Sequence, residues 1–194
     1  MKRQAHDHTW LREQLIAALN IEARSRSLDP TAETCGVRQS GHAMLVPPYY
    51  GTRHRLLAAA VAQLPDRHRR WVRFCYVTTP DWDDEKAVTC NAWVQLFPEF
   101  KNLREKTQTA IKSLLWACQQ NQKTLIVDER QLYTNKRMCE LMRIDPAHWS
   151  RDWSGRWDRM QKEFAAMDSE ALDATLMVYQ RLREEHRAQS QSAA

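Results

Sequence analysis

Apolar side chains recur at helical spacing along most of this chain, and the clearest run lies near its C-terminus. Six large apolar residues follow one another there at steps of three or four positions: Trp149, Trp153, Trp157, Met160, Phe164 and Met167. Such steps place side chains on one face of a helix, and this face is predicted to point inward. The outward face is left to Ser150, Arg151, Ser154 and Gly155.

A shorter helix precedes this one, and a single tight turn joins the two. Thr134 is the expected N-cap of the shorter helix, and Asp145 is that of the second, with Pro146 at its first helical position. Arg143 stands in the turn, where many such turns have glycine, and this counts mildly against the motif. Residues 134–164 therefore predict a helix-turn-helix, whose second helix reads bases in the major groove of DNA. A plain helical hairpin in an all-α protein gives the same pattern and is the alternative interpretation.

The same periodicity predicts further helices upstream and downstream of this pair. They run from Trp10 to about Arg24, from Arg53 to Gln63, over the basic segment after Pro65, from Asp81 to Pro98, from Asn102 to Gln120, and onward from Asp168. Residues 124–127 are rich in β-branched side chains and are ambiguous. The predicted organisation has four parts: 1–24, an N-terminal amphipathic helix; 25–52, a linker or arm; 53–188, a helical domain with the helix-turn-helix at 134–164; and 189–194, a tail.

Composition supports an all-α fold, with the helix-turn-helix in the C-terminal part of a helical domain and the N-terminal helix on a long linker. The 194 residues include only four glycines and seven prolines. The five cysteines are widely spaced and form no C-x-x-C pair, so neither a disulfide framework nor a metal site is predicted. No stretch approaches the roughly 20 apolar residues of a membrane span, so no membrane association is expected.

The distribution of charge indicates a polyanion as partner. The net charge is +5, and the basic residues are concentrated in residues 61–80 and 134–162. An enzyme is not expected, because the densest acidic cluster, residues 81–85, occupies the first turn of a predicted helix, where the helix dipole explains it. No catalytic residues, cofactor or metal ligands are predicted.

Six segments in a fixed order carry a family resemblance: WLREQLIAAL, LPDRHRRWVRFCY, AVTCNAWVQLF, TAIKSLLWACQ, MCELMRIDPAHWSRDWSGRWDRM and MDSEALDATL. In these segments the chain resembles the late-gene antitermination protein Q family of lambdoid phages, in its phage-82-like branch. The resemblance implies a factor that binds a DNA element at a phage late promoter, engages RNA polymerase at a σ-dependent pause and lets it read through terminators. The implied partners are double-stranded DNA, bacterial RNA polymerase, its σ factor and nascent RNA, in the cytoplasm of the bacterial host. Other branches contain a cysteine zinc element, which nothing in this sequence supports.

The resemblance also assigns roles to residues of the predicted helix-turn-helix. DNA bases would be contacted from the second helix by His148, Ser150, Arg151 and Ser154. We expect neighbouring basic side chains to hold DNA phosphates: Lys136, Arg137, Arg143, Arg156 and Arg159. Two other functions remain open, a helix-turn-helix repressor or activator that acts only from its operator, and a helical protein–protein adaptor.

The segment LPDRHRRWVRFCYV adds a separate hint about the polymerase. It is similar to the opening of σ-factor region 4, since Pro65 precedes a basic helix that runs into a turn. This similarity predicts contact with polymerase or promoter DNA through Arg67, Arg69 and Arg70, which are expected to be exposed. A solvated basic helix face accounts for the same residues equally well.

Overall fold

The computed structural model describes residues 2–26 and 48–192, and every regular element within these ranges is a helix. In chain order these are α1 (Lys2–Arg26), α2 (Pro48–Ala62), α3 (Asp66–Tyr76), α4 (Trp82–Phe100), α5 (Glu105–Asp128), α6 (Asn135–Met142), α7 (Pro146–His148), a π-helical segment (Trp149–Trp153) and α8 (Ser154–Ser192). The predicted all-α fold is confirmed. No helix in this part of the chain is long and apolar enough to span a membrane. Most of the predicted linker lies outside the described residues, so the linker stays a prediction.

Several helices extend beyond the ends that the sequence predicts: α1 begins at Lys2 and α2 begins at Pro48, inside the predicted linker, while α4 and α5 run past their predicted C-terminal ends. α4 passes through Pro98 and continues to Phe100, although proline was expected to end it. A proline this close to the C-terminus of a helix disturbs only its last turn, and the buried Phe100 side chain holds that turn against the core. α5 includes the ambiguous residues 124–127 and is followed by Glu129, whose φ of 52° lies in the left-handed region. The helix already formed upstream therefore overrides the β-branched composition of its last turn.

α8 is one helix of 39 residues, whereas the sequence predicts a new helix from Asp168. Asp168 is buried, and its carboxylate accepts a hydrogen bond of 2.9 Å from the indole Nε1 of Trp71 on α3. The same indole ring stacks on Phe164, with 5.6 Å between the ring centroids. Asp168 therefore bonds a tryptophan from another helix rather than capping a helix of its own.

The described helices form two compact units. We name residues 65–75 and 79–171 the central unit; it contains most of α3, all of α4 to α7 and the first part of α8. The terminal unit contains α1, α2, residues 76–78 and the rest of α8 from Leu172. The predicted helix-turn-helix therefore lies entirely within the central unit.

The core of the central unit contains the tryptophan stripe that the sequence predicts. All six of its members are buried: Trp149, Trp153, Trp157, Met160, Phe164 and Met167. Trp71, Phe74 and Leu115 are buried in the same unit, from α3 and α5. The prediction of the inward face is therefore confirmed.

The terminal unit is built around the contact between α1 and α2. Leu11, Leu15 and Ala18 on the predicted apolar face of α1 are buried. At the end of this face the side-chain oxygen of Asn20 accepts a hydrogen bond of 2.8 Å from the backbone N–H of Thr78. This bond joins α1 to the segment that follows α3.

Candidate nucleic-acid interface

The first helix of the predicted reading unit begins as the sequence indicates. Thr134 is the N-cap of α6, and its hydroxyl accepts a hydrogen bond of 3.3 Å from the backbone N–H of Arg137. Met138 and Cys139 point into the core, while Lys136 and Glu140 are exposed. α6 therefore has one face in the protein and one face free for a ligand.

The turn after α6 is held in a left-handed conformation by a residue other than glycine. Arg143 has φ 55° and ψ 45°, and its backbone N–H bonds to the carbonyls of Cys139 and Glu140. The N–H of Ile144 also donates to the Cys139 carbonyl, at 3.1 Å. These bonds satisfy the last carbonyls of α6 and reverse the chain, as glycine commonly does after a helix. The sequence pattern counts Arg143 against a helix-turn-helix, since glycine is usual there, but the arginine adopts the left-handed conformation that glycine would supply.

We expect Arg143→Gly to leave the free energy of unfolding unchanged or to raise it by up to about 1 kcal/mol. The left-handed conformation costs a residue with a side chain about 1–2 kcal/mol, and the extra freedom of glycine in the unfolded chain offsets about half of this. Urea unfolding followed by circular dichroism measures the change. A loss above about 1 kcal/mol would show that the arginine side chain itself stabilises the turn.

The second helix starts with the predicted cap. Asp145 precedes Pro146, and its Oδ1 accepts a hydrogen bond of 2.8 Å from the backbone N–H of His148. This backbone hydrogen bond lowers the pKa of Asp145 below its usual value. At neutral pH the cap is therefore a carboxylate placed at the positive end of the helix.

The next turn is π-helical, a feature that the sequence analysis missed. In the segment Trp149–Trp153 the chain is wider than an α-helix, and the N–H of Ser154 donates to the carbonyl of Trp149. In an α-helix, eight residues overshoot two full turns by about 80°, so Trp149 and Trp157 would point in different directions. The π-helical turn removes this offset, and the two rings lie 6.1 Å apart between centroids. Two consecutive steps of four residues were the available sequence signal.

An open groove lies between α6 and the start of the second helix. Lys136 and Arg143 line it from α6 and the turn, and Ser150 lines it from the π-helical segment. Neither Lys136 nor Arg143 forms an ion pair with any residue that the structure describes. The structure therefore brings two predicted phosphate contacts and one predicted base contact to a single groove.

Among the four predicted base contacts, Ser150 and Arg151 are exposed, whereas His148 and Ser154 are half-buried. The Arg151 side chain is 73% exposed, and its Nε lies 2.9 Å from Oδ2 of Asp152. The same carboxylate lies 3.3 Å from Nε2 of His148. The hydroxyl of Ser154 donates to the carbonyl of Ser150 at 2.8 Å, which leaves it less available to a base.

The remaining predicted phosphate contacts already interact with other side chains. Arg137 pairs with Glu140 at 3.6 Å. The guanidinium of Arg156 lies over the ring of Trp153, 5.0 Å from its centroid. Arg159 is 2.7 Å from Glu99 on α4 and therefore joins α8 to α4. These groups differ from Lys136 and Arg143, which have no such partner in the described ranges.

The three predicted polymerase contacts on α3 are half-buried rather than exposed. Arg67 pairs with Glu163 on α8 at 3.2 Å. Arg70 pairs with Asp66 at 2.8 Å and lies 3.3 Å from the buried Asp84 on α4. Arg69 pairs with Asp66 of its own helix. The sequence could not show this, because Glu163 and Asp84 are distant in the chain.

Asp84 differs from its acidic neighbours in the cluster at residues 81–85. Asp81 caps α4 as predicted and accepts a hydrogen bond of 3.1 Å from the N–H of Asp83. Asp84 is instead buried, with Arg73 Nε 3.0 Å from its Oδ2. Burial raises the pKa of Asp84, while Arg73 and Arg70 act in the opposite direction. It is a structural ion-pair partner of α3 as well as an acidic residue in the first turn.

Comparison with known proteins gives two matches. A family model described as phage antitermination protein Q matches residues 27–194. The antitermination protein Q of Enterobacteria phage 82 is 29% identical over 119 residues, which cover 58% of this chain and 50% of that protein. The chain thus spans about half the length of the curated relative it matches. No solved structure matches it. Because the family model covers most of the chain, the protein belongs to the phage antitermination protein Q family.

Proposed function

We propose that this protein is a phage transcription antitermination factor. It binds a DNA element at a late promoter, engages bacterial RNA polymerase together with its σ factor, and allows read-through of terminators in the host cytoplasm. The match of the family model over residues 27–194 carries this proposal. The groove between α6 and the second helix supports its DNA-binding part, since it combines basic side chains with an exposed helix start.

Within this proposal Arg151 is the principal base-reading residue. Asp152 holds its Nε at 2.9 Å, and neither Nη atom has a partner in the described part of the chain. A guanidinium fixed in this way can donate two parallel hydrogen bonds, which is how arginine recognises O6 and N7 of guanine. His148, Ser150 and Ser154 contact neighbouring bases. The negative charge of the Asp152 carboxylate repels DNA phosphates. This repulsion directs the guanidinium of Arg151 towards a base edge instead.

DNA phosphates are held on both sides of this reading helix. Lys136 and Arg143 do so from the groove, since their charges have no ion-pair partner in the described ranges. Arg137, Arg156 and Arg159 contribute more weakly, because DNA would compete with Glu140, the Trp153 ring and Glu99. The phosphate contacts set the position of the helix, and the base contacts set its preferred sequence.

The polymerase contact lies on α3, outside the reading unit. Arg69 serves as its probe, and its interactions include an ion pair with Asp66 of the same helix. Arg67 and Arg70 also pair with Glu163 and Asp84 on other helices, so their replacement would disturb the packing of the central unit. Contact with polymerase must persist after the DNA site has been left behind, which requires a surface separate from the DNA interface.

Transcription in a purified system tests this function. The template carries the phage late promoter region followed by an intrinsic terminator, and the measured quantity is the fraction of transcripts that pass the terminator. We expect the wild-type protein to raise this fraction. We expect Arg69→Glu to bind promoter DNA within about threefold of wild type but to lose read-through, since the reversed charge repels an acidic partner surface. Lys106→Glu, an exposed charge reversal on α5, is the matched control and should keep read-through.

The outcomes separate the rival functions. Promoter binding by the wild-type protein without any read-through would identify a repressor or activator and contradict antitermination. Binding to polymerase without binding to promoter DNA would identify an adaptor. Full read-through by Arg69→Glu would remove α3 from the polymerase contact while leaving antitermination intact.

A further inference from the structure

The terminal unit contains an open pocket that the proposed function does not use. Its volume is about 370 Å³, within the range of small-ligand sites. Trp10 of α1 and Tyr179 of α8 line it, with 6.3 Å between their ring centroids. The pocket therefore has an aromatic wall formed by two helices that are far apart in sequence.

Basic side chains surround this aromatic wall. Arg53 of α2 lies over the ring of Trp10, 6.0 Å from its centroid. Arg183, His186 and Arg187 line the pocket from α8, where spacings of three and four residues place them on the same helix face. Arg183 and Arg187 form no ion pair with described residues, and no carboxylate is among the described residues that line the pocket. The site therefore favours a ligand that carries both negative charge and a flat apolar group.

We propose that this pocket binds a nucleotide of single-stranded nucleic acid, with the base against Trp10 and the phosphates on Arg183 and Arg187. Aromatic side chains beside arginines are the usual means by which proteins hold single strands without reading their sequence. A duplex does not fit this chemistry, because its bases are already stacked on one another and cannot lie against Trp10. The pocket belongs to the terminal unit, whereas the groove proposed for duplex DNA belongs to the central unit. The site thus goes beyond the proposed function and would exist even if that function were wrong.

Fluorescence anisotropy of a labelled oligouridine of about 12 nucleotides tests the site on the full-length protein. We expect Arg183→Gln/Arg187→Gln to weaken binding about tenfold at about 0.1 M salt, because two phosphate contacts are lost. The matched control is Arg181→Gln/Lys106→Gln, which removes the same charge from exposed positions that do not line the pocket. This control should change the affinity less than about twofold, and promoter duplex affinity should be unchanged in both variants.

A second pair of variants tests the aromatic contribution. Trp10→Leu keeps an apolar side chain but removes the stacking surface, so it should weaken oligouridine binding about fivefold or more. Trp10→Phe retains a ring and should recover most of the affinity. Circular dichroism and urea unfolding of each variant establish that it is folded. If Trp10→Leu does not fold, the Arg183→Gln/Arg187→Gln variant still tests the site.

The results distinguish the possible ligands. Equal losses in the arginine variant and its control would overturn the proposal, as would equal losses for duplex and single strand. An unchanged affinity of Trp10→Leu for oligouridine would also overturn the proposal. The pocket would then bind only the phosphate groups and make no contact with a base. Stronger binding of oligouridine than of an oligothymidine of the same length would identify the transcript as the source, and equal binding would identify any single strand; both support the site.

Discussion

Replacing Trp153 by alanine is expected to lower the free energy of unfolding by about 3–5 kcal/mol. Trp153 is only 9% exposed, and its neighbours in the stripe, Trp149 and Trp157, are buried more completely. Its replacement leaves a cavity of nearly a whole indole in a core that cannot close around it. It also removes the ring on which the guanidinium of Arg156 lies.

Urea unfolding followed by circular dichroism measures this loss, and the chain contains a matched control. Trp82, in the first turn of α4, is 63% exposed, so Trp82→Ala makes the same chemical change without opening a core. We expect the control to change the free energy of unfolding by less than about 0.5 kcal/mol. Similar, small effects of the two substitutions would show that the tryptophan stripe does not form the core. Ready quenching of Trp153 fluorescence by a solvent-borne quencher would contradict its burial independently.

Features of the central unit that depend on neighbouring residues could be predicted from the sequence. The caps of α6 and α7 follow from the hydrogen-bonding capacity of Thr134 and Asp145, and each has its partner three residues later. The burial of the tryptophan stripe follows from its spacing along one helix. The left-handed backbone of Arg143 was not predicted, because an arginine where such turns often have glycine counts against the motif rather than indicating this conformation. These interactions all lie within a few turns of chain.

Features that depend on distant residues could not be predicted in this way. Asp168 resembles an N-cap in sequence, but Trp71 uses its carboxylate as a hydrogen-bond acceptor across 97 positions. Arg67 resembles a solvated residue, but Glu163 lies beside it in the fold. The aromatic pocket of the terminal unit likewise combines Trp10 with Tyr179, which no local pattern associates. Periodicity shows which face of a helix is buried, and only the fold shows which polar groups meet there.

Arg151→Ala is expected to weaken binding to the preferred DNA site by about 1–3 kcal/mol, which is about 5-fold to 150-fold. The loss arises because a bidentate contact to one base is removed, while the phosphate contacts remain. The affinity of Arg151→Ala for random-sequence duplex should fall only slightly, because only the attraction of one exposed positive charge is lost. The ratio of specific to random affinity therefore falls, and the base pair read by Arg151 becomes tolerant of substitution.

Arg143→Gly is the matched variant for this measurement, because it removes one positive charge from the groove and is expected to leave the fold intact. If Arg143 holds a phosphate, this variant weakens specific and random duplex by the same factor and reduces the salt dependence of binding by about one counterion. Anisotropy titrations of both duplexes at several salt concentrations give all of these quantities. Equal losses on the two duplexes for Arg151→Ala would assign Arg151 to the backbone instead of the bases. If Arg143→Gly loses sequence selectivity and Arg151→Ala does not, the bases are read by the turn and not by the second helix.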